Sequence, residues 1–218
     1  MEKKIIPIEL MVFDFDGTLV QSDRDLARAV NHALESIGAP VRKEEEIRRF
    51  IGDGVEKLIE RALGPERKDM FPRALELFLD YYEDHLLDTT TLYPGVWETL
   101  EYFRHVRKMI VTNKTDAFTQ TIASELGITH YFDIILGRDS VPYAKPDPRI
   151  LLPWMERFGA RRQRTVVVGD GVNDIIFAKN AGVLSCALLN GLTEREELIF
   201  LGPDYCCEQI GELRDYFR

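Results

Sequence analysis

The chain has 218 residues and 45% hydrophobic side chains, enough for one large domain or for a core carrying a smaller inserted one, and too apolar for a disordered chain. No apolar run reaches the roughly 18 residues that a membrane span requires, so no membrane partner is expected. With 28 basic and 37 acidic residues the net charge is −9, which excludes a broad nucleic-acid-binding face because such binding rests on neutralising phosphates.

The first residues, Met1-Glu-Lys-Lys-Ile-Ile-Pro7, lack the long apolar region and small-residue cleavage site of a signal peptide, so a cytoplasmic location is expected. Ile8-Glu-Leu-Met-Val-Phe13 reads as a buried strand ending at Asp14, being short, rich in β-formers and stopped by Gly17. From Ser22 to Leu87 the pattern turns helical, with breaks at Gly38-Ala-Pro40, Gly52-Asp-Gly54 and Gly64-Pro65. Leu26, Ala29, Val30, Ala33, Leu34 and Ile37 recur at helical spacing, and Phe71 to Leu87 predicts a long helix with Leu75, Phe78, Leu79 and Tyr82 on one stripe. The stretch reads as an all-helical insertion without a strand.

After Tyr93-Pro-Gly95 helices and strands alternate. Helices are predicted over Val96–Arg104, Asp116–Leu126, Pro148–Phe158, Asn173–Ala181, Glu194–Leu201 and Gln209–Phe217. Strands are predicted over Lys108–Thr112, Ile134–Gly137, Thr165–Gly169, Leu184–Leu189 and near Asp204–Cys206. Regular alternation implies a doubly wound parallel sheet with helices on both faces. The fold class is therefore α/β, with 1–19 and 92–218 as the core and 20–91 as a helical domain set into it.

Ligands of such sheets bind beyond the carboxyl ends of the strands. Four of those ends carry chemistry: Asp14-Phe-Asp16-Gly-Thr18, Thr112-Asn-Lys114, Ala144-Lys145-Pro and Gly169-Asp170-Gly-Val-Asn-Asp174. Two carboxylates at Asp14 and Asp16, joined by Asp170 and Asp174, crowd negative charge into a partly desolvated cleft. That is unfavourable without a cation, and an oxygen-rich set with one lysine suits Mg2+. Any one aspartate alone is explained by turn or helix-cap chemistry; the convergence of four is not. Other readings find no support. Gly52-Asp-Gly54 and Gly169-Asp-Gly171 fail the dinucleotide pattern at the third glycine, and no phosphate-loop GxxxxGK[ST] occurs. Cys186, Cys206 and Cys207 show no metal or redox spacing and read as structural thiols. The four histidines are scattered and read as surface or helix-face residues.

Val12-Phe-Asp14-Phe-Asp16-Gly17-Thr18-Leu19 resembles the first motif of the haloacid-dehalogenase superfamily, with Thr112 matching its second motif, Lys145 its third and Gly169-Asp170-…-Asp174 its fourth. The resemblance covers nearly the whole chain, since the helical stretch matches the cap inserted after the first motif. It implies that Asp14 attacks phosphorus to form an aspartyl-phosphate and that Asp16 protonates the leaving alkoxide and later activates water. Dehalogenases expel halide and lack that second aspartate, so Asp16 favours phosphoryl transfer. It further implies that Thr112, the Asn113 backbone N–H and Lys145 hold the phosphoryl oxygens. Mg2+ would be held by the Asp14 carboxylate, the Asp16 backbone carbonyl and Asp170, with Asp174 bound directly or through water. Gly171 departs from the Ser or Thr that many cap-bearing relatives carry after the motif-four aspartate.

The cap phrases Asn31-His-Ala-Leu34, Phe50-Ile-Gly52-Asp-Gly54 and Glu60-Arg-Ala-Leu63, with Leu92-Tyr-Pro-Gly95-Val, resemble phosphoglycolate phosphatases within that superfamily. The substrate so implied is 2-phosphoglycolate or another small phosphorylated metabolite. Pyrophosphatase, nucleotidase and sugar-phosphate phosphatase remain the alternatives, and a phosphomutase would share the same core residues. Gly52 and Gly54 permit close backbone approach. Arg48 or Arg49 would read a substrate carboxylate, one only, since helix neighbours face apart. A monomer or homodimer is expected.

Overall fold

The computed structural model describes residues 5–218; Met1 to Lys4, where part of the reading against a leader sequence lies, fall outside them. Strand β1 (Leu10–Phe13) is buried throughout, with Met11 and Phe13 entering one apolar cluster and Leu10 and Val12 another. That period-2 division puts a core on each side of the strand. The chain continues through β2 (Val20–Gln21), α1 (Asp23–Ser36), α2 (Glu44–Arg48), α3 (Val55–Leu63), α4 (Phe71–Asp84) and β3 (Thr91–Leu92). It then alternates: α5 (Val96–Tyr102), β4 (Arg107–Val111), α6 (Asp116–Glu125), β5 (Ile134–Leu136), α7 (Leu152–Phe158), β6 (Thr165–Gly169), α8 (Val172–Ala181), β7 (Leu184–Leu188), α9 (Arg195–Phe200) and β8 (Tyr205–Cys207).

Six strands form one parallel sheet in the order β5-β4-β1-β6-β7-β8. Helices cover both faces: Val96, Leu100, Ile122 and Ala123 pack on the Phe13 side, and Met155, Phe177 and Ala178 on the Val12 side. This is the doubly wound α/β architecture expected from the alternation. Chain progression reverses around β1, whose two neighbours, β4 and β6, both come from later in the sequence. The carboxyl ends of these central strands, at Asp14, Thr112 and Asp170, therefore border the crevice where such sheets bind ligands.

Helices α1 to α4 pack on one another, with Leu26, Ala29, Val30, Ala33 and Leu34 of α1 buried together with Ala74, Phe78 and Tyr82 of α4. Their apolar cluster is continuous with that of the sheet through Phe15, Leu19 and Val20. The two connections to the sheet pair as a short antiparallel ribbon, Val20 opposite Leu92 and Gln21 opposite Thr91. Asp25 on α1 fastens the returning connection: its carboxylate accepts hydrogen bonds from the Thr89 and Thr90 N–H groups, both at 2.8 Å, and from both hydroxyls, at 2.6 and 2.8 Å.

Three expected helices differ. The helix read over Phe71 to Leu87 ends at Asp84, with His85 as its C-cap. The helix read over Pro148–Phe158 is a 3-10 turn, Pro148–Ile150, followed by α7, because Pro153 has no N–H and would clash inside a continuous helix. The helix read over Gln209–Phe217 is a 3-10 segment, Ile210–Asp215. The last residues instead bond to the start of the chain, Ile6 N–H to Tyr216 O at 2.8 Å and Ile8 N–H to Arg218 O at 2.8 Å. A helix running through Phe217 would forfeit those bonds. The three cysteines are free thiols; Cys186 and Cys207 are buried and Cys206 is half-buried. Among the described residues no helix is long and apolar enough to cross a membrane.

Candidate active site

Strand β1 delivers Asp14 to the cleft in a buried position, and the chain turns at once. Gly17 makes that turn with φ +83, and a Cβ there would lie 2.1 Å from Asp170 Oδ2. Only glycine satisfies both the dihedral and the clearance. Gly191 lies equally close from the other side, its Cβ position 2.1 Å from Asp170 Cβ. The Asp170 carboxylate is held in this slot by the Thr18 hydroxyl at 2.6 Å and the Leu192 N–H at 2.7 Å.

Asp14, Asp170 and Asp174 each present a carboxylate oxygen within 4.8 Å of the others. Lys145, from the loop after β5, reaches into this group: its Nζ is 2.7 Å from Asp14 Oδ1 and 2.6 Å from Asp174 Oδ1. Asp14 Oδ1 also accepts the Phe15 N–H at 2.7 Å. Asp174, in the first turn of α8, accepts the Gly171 N–H at 2.9 Å on Oδ2. A Cβ on residue 171 would sit 3.0 Å from that oxygen, so the glycine gives the carboxylate room.

Burial pushes Asp14 up to about 7, and the nearby Asp174 carboxylate adds to it against the opposing pull of Lys145. Asp170 is likewise raised to about 7, by burial first and then by Asp14. Burial alone would lower Lys145, but Asp14 and Asp174 outweigh it and hold the ammonium charged. Three buried carboxylates thus share one buried ammonium. A divalent cation bound by oxygen would balance that charge, and Mg2+ is the ion the donor set fits.

Thr112 and Asn113, just beyond β4, are buried beside Asp14. The Asn113 side chain is a brace that the sequence did not reveal. Its Oδ1 accepts the Lys145 N–H at 3.0 Å and its Nδ2 donates to Gly52 O at 3.0 Å. The Gly52-Asp-Gly54 turn therefore rests on the sheet end. A Cβ on Gly54, at φ +93, would meet Asn113 O at 3.3 Å. Asn173 adds a second fastening, donating to Asp53 Oδ1 at 2.6 Å.

Asp16 is not one of the three clustered carboxylates, though it lines the same cavity as Asp14. Its Oδ1 accepts from the Ser22 hydroxyl and from Lys114 Nζ, the latter at 3.1 Å. Lys114 also donates to the Tyr82 hydroxyl at 2.8 Å. In the sequence Tyr82 reads as one more member of an apolar helical stripe, and Lys114, named at the strand end after Thr112, carries no assigned role. A cavity of about 50 Å³ links these groups, lined by Asp14, Asp16, Thr112, Lys114 and Tyr82 and walled by Leu26, Val55, Leu58 and Phe78.

Arg48 and Arg49 were expected to face apart, yet both line a second, wider cleft of about 400 Å³ that also opens onto Asp14 and Asp174. Arg48 closes α2 and Arg49 is its C-cap, and both long side chains reach the loop after β7. Arg48 donates to Gly191 O at 2.7 Å, and Arg49 pairs with Glu194 at 3.4 Å on the surface. Both arginines fasten the helical insertion to the loop after β7.

Residues 11–188 match the family model described as haloacid dehalogenase-like hydrolase. A phosphoglycolate phosphatase of Vibrio parahaemolyticus is 37% identical over 216 residues, covering 94% of each chain. One from Nitrosospira multiformis is 39% identical over 206 residues, covering 91% of each. Among solved structures, a protein from Haemophilus somnus described as a predicted phosphoglycolate phosphatase superposes with a TM-score of 0.90 at 31% identity, over 97% of this chain and 98% of its own. The chain belongs to the haloacid dehalogenase-like hydrolases, and it is an enzyme of the phosphatase kind.

Proposed function

We propose that the protein hydrolyses 2-phosphoglycolate, a small phosphate monoester, through a phosphoryl group carried on Asp14. The observation that carries this reading is the buried cluster of Asp14, Asp170 and Asp174 around Lys145 at the carboxyl edge of the sheet. The likeness to relatives named as phosphoglycolate phosphatases supports this choice of substrate.

Among the described residues the Asp14 carboxylate meets the Phe15 N–H and Lys145 Nζ, both on Oδ1, which leaves Oδ2 for in-line attack on phosphorus. Lys145, the Thr112 hydroxyl and the Asn113 N–H hold the phosphoryl oxygens, where positioning and charge stabilisation carry most of the catalysis. Asp16 gives a proton to the departing glycolate oxygen and later takes one from the attacking water. Asp14, Asp170 and Asp174, with the Asp16 carbonyl, would hold Mg2+, which supplies charge neutralisation at the phosphoryl group when bound.

The insertion at 20–91 acts as a cap over the sheet edge and excludes water from the phosphoryl site. The Gly52-Asp-Gly54 turn and both arginines hold its closed position. Their contacts favour this fastening role over the carboxylate-reading role expected for one arginine. A two-carbon substrate fits beneath such a cap, whereas a phosphoprotein or nucleic acid does not.

A panel of phosphate esters assayed with Mg2+ and ranked by kcat/KM tests the substrate. 2-Phosphoglycolate should lead the ranking. If pyrophosphate, a nucleotide or a sugar phosphate leads instead, the substrate assignment is wrong.

A further inference from the structure

Lys114 is a buried ammonium that phosphoryl transfer does not use. It is 9% exposed, and its Nζ stands 4.7 Å over the Tyr82 ring as well as bonding to the Tyr82 hydroxyl. Burying an ammonium costs several kcal/mol unless its neighbours compensate. Among the described residues it has two hydrogen-bond acceptors, Asp16 Oδ1 and Tyr82 Oη, against the three N–H groups it carries. Tyr82 Oη accepts from Lys114 and, among the described residues, donates to nothing. Two donors, one N–H and one O–H, therefore remain unassigned on atoms 2.8 Å apart at the edge of the small cavity.

We infer that Lys114 Nζ and Tyr82 Oη together read the carboxylate of the leaving group. The inference rests on the proposed phosphoglycolate chemistry and names the residues that give it specificity.

Adjacent donors of this spacing suit the two oxygens of one carboxylate. Apart from Asp14, Asp16 and the polar residues at the end of β4, the remaining wall is apolar, through Leu26, Val55, Leu58 and Phe78, so the ammonium is the group there that favours an anionic end over a neutral one. The cavity, about 50 Å³, has room for roughly four water-sized groups, the scale of a two-carbon acid. The same cavity reaches Asp14 and Thr112, so a leaving group anchored at Lys114 keeps its ester oxygen near the attacking carboxylate. Burial pushes Tyr82 up to about 12, so its O–H persists at neutral pH. Arg48 and Arg49 do not line this cavity.

The test compares 2-phosphoglycolate with ethyl phosphate, which replaces the carboxylate by a methyl group, in wild type, K114M, K114R and Y82F. Wild type should prefer phosphoglycolate. In K114M the ratio of the two kcat/KM values should fall by about 30-fold or more, the scale of a lost buried charge contact. K114R should keep a larger share of the ratio. Y82F removes one oxygen, retains the ring and should lower the ratio several-fold, which keeps the inference testable even where K114M fails to fold. An equal loss on both substrates would assign Lys114 to holding Asp16 or the cap and overturn the inference. Wild-type preference surviving intact in K114M and Y82F would overturn it alone. Absence of any preference in wild type would overturn the substrate proposal first, and this inference with it.

Discussion

Asp14 and Asp170 are expensive residues for the folded protein, and their cost sets a testable link between metal, pH and stability. Both are raised to about 7, whereas an unfolded aspartate titrates near about 3.9. Between those values the unfolded chain ionises while the folded carboxylates hold protons, so metal-free stability falls as pH rises through that window. Mg2+ bound by the ionised carboxylates should reverse the loss, because a ligand that binds only the folded state stabilises it. Thermal unfolding with and without saturating Mg2+ should show a larger rise in Tm at pH 8 than at pH 5, and D170N should blunt it. An Mg2+ effect on Tm that is absent or independent of pH would contradict the assignment of these carboxylates as ligands. Chemistry at the strand ends was legible in the sequence because Asp14, Thr112, Lys145 and Asp170 each follow a strand or its loop. Asn113's brace, the Thr18 contact and the Lys114–Tyr82 pair were not. They join residues far apart in the chain, and Lys114 and Tyr82 lie on different elements whose meeting only packing determines.

Several elements fall where their hydrophobic pattern put them, although the long helix read to Leu87 stops at Asp84. Strand β6 runs Thr165–Gly169 as expected, and α6 differs from its predicted span by one residue. Other departures occur where a local rule meets a tertiary one: Pro153 splits the helix before β6, and the chain end leaves its helix to bond with Ile6 and Ile8. The β2–β3 ribbon, two residues per strand, is too short to carry any period. Its stability depends on Asp25, at the start of α1, whose four accepted hydrogen bonds pin Thr89 and Thr90. Burial tends to raise this carboxyl, but the threonine donors outweigh it and hold it below the ordinary carboxylate range. A lowered folded value means the stability it contributes is present above the unfolded value and is lost as pH falls through the folded one. Asp25→Asn should therefore destabilise by about 1–3 kcal/mol at pH 7, the scale of losing hydrogen bonds to a buried charged acceptor. The gap between variant and wild type in urea unfolding should narrow below about pH 4. An unchanged gap at acid pH would show that the carboxylate charge contributes nothing there.

At the scale of the whole molecule, a parallel sheet holds the proposed reacting groups at one edge, and the helical block α1 to α4 packs against that edge. The sheet side provides Asp14, Lys145, Asp170 and Asp174, drawn from three separated stretches of chain, after β1, β5 and β6, to one edge by the order β5-β4-β1-β6. The block adds Tyr82, the Gly52–Gly54 turn and the two arginines, fastened to the sheet through Asn113, Asn173, Gly191 and Glu194. The central claim is that Asp14 is the nucleophile on which this arrangement converges. It is tested most directly by steady-state hydrolysis of 2-phosphoglycolate by Asp14→Asn in saturating Mg2+, with circular dichroism confirming the fold. The amide is a poor nucleophile, so phosphate release should drop to background while the protein remains folded. Substantial turnover by folded Asp14→Asn would contradict the covalent mechanism and the account built on it.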